Sequence, residues 1–129
     1  MNVLKKSLRY ASLILSAIYL SVVFIMATTS KVPGFVAHQD KLLHGLEFTF
    51  FVILILLTLK LWNVKDEYFL AAILLIFLTL STEFSQLFVF NRSFSALDMI
   101  ADLIGGIIGF ITFFIAKIIF KPLEQRFLS

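Results

Sequence analysis

Four long stretches of this chain carry almost no charge, and that pattern decides what the chain can fold into. Arg9 and Lys31 enclose 21 uncharged residues, and Lys41 and Lys60 enclose 18 in which only Glu47 is charged. Between Glu67 and Arg92 lie 24 residues with Glu83 as the sole charge; between Arg92 and Lys117 lie another 24, which include Asp98 and Asp102. A helix rises about 1.5 Å per residue, so roughly 20 residues cross a hydrocarbon core about 30 Å thick. Each stretch is therefore long enough to span a membrane. Of the 129 residues, 60% are hydrophobic and only 15% charged, against roughly a quarter charged in an ordinary soluble domain.

Backbone polar groups in lipid must be satisfied within the segment, so Leu13–Thr28, Leu42–Leu59, Phe69–Phe90 and Leu97–Ala116 are expected as four transmembrane helices. Membrane β-strands would show alternation over segments of about ten residues, and these runs do not alternate. The expected fold is an all-α, compact four-helix bundle with short connections. It forms a single membrane domain over residues 1–129, leaving no room among them for a soluble catalytic module. Lys5, Lys6 and Arg9 before the first span and Ala27, Thr28, Thr29 and Ser30 after it resemble the layout of a signal peptide. The apolar run is longer than a signal core and three more spans follow, so it is read as a retained helix.

The basic residues orient the bundle. Lys5, Lys6, Arg9, Lys60, Lys65, Lys117, Lys121 and Arg126 belong to one side, and Lys31, Lys41 and Arg92 to the other. The richer side is expected in the cytoplasm together with both ends of the chain, in a cytoplasmic (inner) membrane. Trp62 and Tyr68 flank the connection on that side, where interfacial aromatics belong. A pI near 9.3 thus reflects topology, and a nucleic-acid partner is not expected. The absence of cysteine excludes disulfides, thiolate metal sites and cysteine nucleophiles.

The acids divide by the same topology. Asp66, Glu67 and Glu124 fall on the basic side, whereas Asp40, Glu47, Glu83, Asp98 and Asp102 fall on the outer side or in the outer half of a span. With the outer boundary near Asp40, Phe90 and Ser95, His44, Gln86 and Asp98 lie roughly 5–6 Å inside it, and Glu47, Glu83 and Asp102 roughly 10 Å inside. His44/Glu47 and Glu83/Gln86 are i,i+3 pairs and Asp98/Asp102 is an i,i+4 pair, so each pair shares one helix face. A carboxylate near the bilayer centre costs on the order of 2.5–3.5 kcal/mol on insertion scales, less toward the interface. That cost favours the acids facing one another and a histidine in a water-accessible cleft between the second, third and fourth helices. Arg92 and Lys41, with Lys31 and His38, are expected at its rim. The competing structural reading makes the same residues glue between helices. Gln86 serves equally well in packing, Arg92 can pair with Asp98 or extend outward, and Ser95 with Asp98 three residues on fits a helix-capping box. Ala101, Gly105 and Gly109, with Gly106 beside them, form a small-residue stripe expected to pack within the chain rather than to dimerise it.

In this order the residues resemble the VanZ-like family of small bacterial membrane proteins. The matching pieces are Asp40-Lys41-x-x-His44-x-x-Glu47, Glu83-x-x-Gln86, Arg92-x-x-Ser95-x-x-Asp98 and Asp98-x-x-x-Asp102-x-x-Gly105, within a region from Asp40 to Phe110. Two departures stand out. Asp102 occupies a position where the family usually has asparagine, which adds a carboxylate, and Phe90-Asn91 replaces the usual Pro-Gly before the arginine. The resemblance implies a cell-envelope role, since the family is named for a member associated with resistance to the glycopeptide antibiotic teicoplanin.

Three function classes fit these residues to different degrees. In the first, a non-enzymatic envelope protein binds a charged ligand, such as a lipid head group, a lipid-linked wall precursor or a glycopeptide, through Lys41, His44, Glu47, Glu83, Gln86, Arg92, Ser95, Asp98 and Asp102. In the second, an intramembrane enzyme acts on a lipid-linked envelope substrate, with His44 as candidate base and Glu83 or Asp98 as candidate acid. Imidazole with carboxylates also suits several divalent metals, which makes His44, Glu83 and Asp98 the metal candidates, although no metal or other cofactor is specified by the sequence. Against the enzyme stands the lack of any nucleophile or phosphate-loop signature. The third class, proton-coupled transport, needs polar groups through the inner halves of the spans, which are nearly all apolar apart from Thr58. The binding reading is preferred.

Overall fold

The structure is a computed structural model that describes residues 2–28, 37–89 and 95–128, the side chains of 37–40, 127 and 128 excepted. Its helices are α1 (Val3–Ala27), α2 (Ala37–Leu61), α3 (Glu67–Gln86) and α4 (Ala96–Leu128). All four are long and apolar enough to cross a membrane. They differ from the apolar runs mainly at their ends. α1 starts at Val3, well before Leu13, with the Asn2 Oδ1 accepting the Leu4 N–H at 2.9 Å as a cap. α4 continues beyond Ala116 and through Pro122 to Leu128. Once a helix is nucleated, each further residue needs only one more backbone bond, so polar flanks propagate it and a single proline does not end it here. α3 stops at Gln86 instead of Phe90, because the amides of Leu87, Phe88 and Val89 bond to carbonyls three residues back, at 3.1–3.2 Å. Between α2 and α3 the chain turns in five residues, Trp62–Asp66, using left-handed backbone at Asn63 and Asp66, residue types that tolerate it.

Because lipid is as apolar as leucine, helices in a membrane are held by close packing and interhelical hydrogen bonds. Outward faces are accordingly apolar and exposed, as at Ile14, Phe50, Phe77, Ile107 and Phe114. The inward faces form one core of Phe48, Phe51, Val52 and Leu56 with Ala71, Leu75 and Leu78, closed by Val23 and Phe113. Polar bonds join α1 to α2: Ser16 Oγ meets Thr58 Oγ1 at 2.9 Å, and the Tyr19 hydroxyl donates to the Glu47 carbonyl. A lone serine, threonine or tyrosine in an apolar run has no distinguishing pattern, so these bonds were not legible in the sequence.

The tightest contact lies between α2 and α4. A Cβ placed on Gly105 would sit 2.0 Å from the Gly45 carbonyl oxygen, and one on Gly109 would sit 2.7 Å from the Thr49 carbonyl oxygen. Both positions demand glycine because the obstacle is backbone. The small-residue stripe therefore packs within the chain, onto Gly45 and Thr49 of α2. Thr49 Oγ1 bonds the carbonyls of both Gly45 (2.8 Å) and Gly105 (2.7 Å), locking the two helices in register. α1 also packs on α2, but α1 and α4 scarcely touch each other.

The two ends of the bundle differ in chemistry. Where α1 starts and α4 finishes, Arg9 Nε donates to the Leu61 carbonyl at 2.6 Å, Lys60 pairs with Glu124, and Lys117 pairs with Glu67 at 2.9 Å. At the opposite end lie His44, Glu83, Asp98 and Asp102.

Replacing a helical glycine by alanine ordinarily favours the helix by roughly 1 kcal/mol. At Gly105 the sign is expected to reverse: Gly105→Ala lowers the thermal unfolding temperature in detergent. Gly106→Ala meets only the flexible Leu75 side chain and is expected to cost less. Equal melting temperatures for wild type and Gly105→Ala would refute the seam.

Candidate functional site

The polar cluster is built from α2, α3 and α4, and each helix contributes through its buried face. On α2, His44 precedes Gly45, so the close approach at the glycine brings the imidazole against α4. His44 Nδ1 lies 2.9 Å from Asp102 Oδ1, and His44 Nε2 lies 3.9 Å from Asp98 Oδ2. An ionised carboxylate can only accept, so opposite ionised Asp102 the proton of this bond sits on Nδ1. The ring is thereby oriented with Nε2 toward Asp98. Asp98 also receives the Lys41 ammonium at 2.9 Å.

The start of α4 explains how these carboxylates come to be available. Ser95 caps the helix, its Oγ accepting the Asp98 N–H at 3.2 Å. In a complete capping box the acid three residues on would reach back to the Ser95 N–H. Here that donor is taken from another helix: Glu83 Oε2 of α3 accepts it at 3.1 Å. Asp98 is released from local duty and turns to Lys41. Glu83, meanwhile, is tied to the positive end of the α4 dipole.

Glu83 and Asp102 are fully buried, and His44, Gln86 and Asp98 nearly so. Among the described residues, Glu83 Oε1 and both polar atoms of the Gln86 amide have no hydrogen-bond partner. Such groups are costly to bury, typically about 1–3 kcal/mol each when unsatisfied. Ligand atoms of His44, Glu83 and Asp102 lie within 4.8 Å of one another. Ligands about 2.0–2.2 Å from one tetrahedral ion lie roughly 3.3–3.6 Å apart, so these side chains would have to close inward to hold one. The trio includes Asp102 where the sequence pointed to Asp98, whose carboxylate is itself buried but is paired through Oδ1 with Lys41.

The other residues singled out by sequence are distributed around this centre. Lys41 stands at the edge, its side chain about a third exposed. Glu47 lies on the same helix outside the trio, half-buried, with its carbonyl bonded by Tyr19 of α1. Arg92 and Lys31, and the side chains of His38 and Asp40, lie outside the described residues. The centre is buried rather than an open cleft lined by its carboxylates. Three carboxylates face one lysine and one imidazole, an arrangement suited to holding a cation or a hydrogen-bond donor, or to passing a proton through His44.

Residues 3–119 match the family described as VanZ/LLP1. The chain belongs to this family. The match runs well beyond the Asp40–Phe110 region that carries the motif residues and takes in all of α1 and most of α4. No curated protein and no solved structure matches the chain. As a VanZ/LLP1 protein with four apolar helices it is a bacterial multi-pass membrane protein.

Lys41 and Asp98 are in direct contact, so the effects of replacing them should not add. Lys41→Met strands a buried carboxylate and is expected to destabilise the protein, and Asp98→Asn in the same chain should recover most of that loss. Thermal unfolding of both single variants and the double variant measures the coupling, expected within about 0.5–3 kcal/mol for contacting residues. Strict additivity would show that the pair is not formed.

Proposed function

We propose that the His44, Glu83, Asp98 and Asp102 cluster is a binding site at the extracytoplasmic end of the protein, and that it takes the positively charged or hydroxyl-bearing part of an envelope ligand. The observation that carries the reading is the pair of buried polar groups on α3, Glu83 Oε1 and the Gln86 amide, that have no hydrogen-bond partner among the described residues, beside the oriented imidazole. A purely structural network saturates its own donors and acceptors, because each orphan is costly in a low-dielectric interior. An amine or sugar hydroxyl would complete this one. A lipid-linked wall precursor and a glycopeptide both offer such groups. The side of the membrane follows from the Lys/Arg bias, which assigns the opposite end of the bundle to the cytoplasm. Family membership adds the association with glycopeptide resistance as the phenotype to examine.

A second reading is favoured by the trio of ligand atoms within 4.8 Å. His44, Glu83 and Asp102 would hold a divalent ion, and the protein would act on a lipid-linked envelope substrate with metal or His44 acid–base chemistry.

Two measurements separate these readings. For protein in lipid nanodiscs, titration with teicoplanin and with a short-chain lipid-linked wall precursor is expected to show saturable binding to at least one. Glu83→Gln, which keeps the shape and removes the charge, should weaken that binding ten-fold or more. Unchanged affinity in Glu83→Gln, or no saturable binding of either probe, would refute the binding reading. Elemental analysis of protein purified without chelator is expected to find no stoichiometric metal if binding alone is the function. One ion per chain, lost in His44→Ala and Asp102→Ala, would instead establish the metal centre.

A further inference from the structure

At the end of the bundle away from the polar cluster, α1 and α4 flank α2 and scarcely touch each other, and a groove of about 390 Å³ remains between them. That volume is in the range of small-molecule sites, about 300–1,000 Å³. Its α4 wall is one continuous stripe, Phe113, Ala116, Lys117, Phe120, Leu123 and Glu124, at the spacing of a single helix face. From Phe113 to Glu124 the stripe rises roughly 16 Å, running from the apolar span out to the charged end of the bundle. Leu4 and Leu8 of α1 and Leu57 of α2 complete the apolar walls.

The groove changes character at its mouth. Through Lys60, Leu61 and Glu124 it is continuous with a second, polar cavity of about 290 Å³, lined also by Lys5, Asn63, Lys121 and Gln125. Lys60 is paired with Glu124, and Lys117 with Glu67. Lys5 and Lys121 have no carboxylate partner among the described residues. One largely apolar slot thus ends in a cavity that holds the Lys5 and Lys121 ammonium groups, without carboxylate partners among the described residues, and the side-chain amides of Asn63 and Gln125.

We propose that this paired groove and cavity is a seat for one anionic phospholipid. One acyl chain lies along the Phe113–Leu123 stripe between α1 and α4, and the headgroup phosphate is received by Lys5 and Lys121. The ligand's chemistry follows from the two halves together: a soluble phosphate would leave the apolar slot unfilled, and a zwitterionic lipid carries a positive group that the two lysines oppose. The seat is separate from the polar cluster and does not depend on its function. The lipid supplements the sparse α1–α4 contact.

Native mass spectrometry of the full chain, released from detergent containing equal dioleoyl phosphatidylglycerol and dioleoyl phosphatidylcholine, tests the proposal. Wild type is expected to retain one phosphatidylglycerol with at least a five-fold preference. Lys5→Gln/Lys121→Gln should abolish that preference. Lys6→Gln/Lys65→Gln removes the same charge from exposed positions outside the cavity and should leave it intact. Ala116→Trp, which fills the groove, should reduce retention of both lipids, and glycerol 3-phosphate should not compete. Five results would overturn the seat: no preference in wild type, preference surviving in Lys5→Gln/Lys121→Gln, equal loss in the Lys6/Lys65 control, undiminished retention in a folded Ala116→Trp, or competition by glycerol 3-phosphate. The two lysine variants alter only side chains at the solvent-facing end, so they decide the question even if Ala116→Trp does not fold.

Discussion

Backbone contact between α2 and α4 is the constraint on which the rest of this structure depends. Gly45, Gly105 and Gly109 remove the side chains that would otherwise hold the two helices apart, and Thr49 bonds across the gap to the Gly105 carbonyl. In lipid there is no hydrophobic drive to bring helices together, so shape and hydrogen bonds must do so. Once the seam is closed, His44 has little freedom. It sits beside Gly45, and Asp102 precedes Gly105 by three residues, one turn along the same face, so the imidazole and carboxylate meet as a consequence of the packing. The strength of the seam and the position of the site are the same physical fact.

The third helix enters by a different route. Glu83 is bound to the first turn of α4 by taking the Ser95 amide, a role that Asp98 would fill in a self-contained cap. A carboxylate exchanged between helices in this way links the start of α4 to the end of α3 and leaves Asp98 free for Lys41. Glu83 therefore both anchors the fold and presents to the site an oxygen with no partner among the described residues. Buried polar networks are rigid when complete and costly when not. Among the described residues this one is complete on the Ser95 side and open on the other.

The two ends of the bundle also divide the work of the helices. α2 and α4 touch along their length, whereas α1 leans on α2 and leaves α4 uncovered at the basic end. That asymmetry produces a groove where the lysines gather and a tight, acid-rich centre where they do not. Charge separation along the bundle is thus matched by a separation in packing density.

Much of this was legible from the order of residues alone. Four charge-poor stretches without strand alternation require four helices, because a backbone in lipid must pair its polar groups either within a helix or around a closed barrel. The depth of His44, Glu83, Asp98 and Asp102 follows from helical rise, and the small-residue stripe on α4 announces a close contact without naming the partner. What the order of residues leaves open is which atoms meet across helices. The choice of Gly45 as the counterpart of Gly105, of Asp102 rather than Asp98 as the bonded partner of His44 Nδ1, and of Glu83 as the acceptor of the Ser95 amide depends on rotation and register between segments far apart in the chain. So do the Tyr19 and Thr58 bonds and the gap between α1 and α4. Sequence periodicity reports the face that each helix buries, because that is local. Only the tertiary structure decides which buried faces oppose each other, because that choice is made by contacts between the helices.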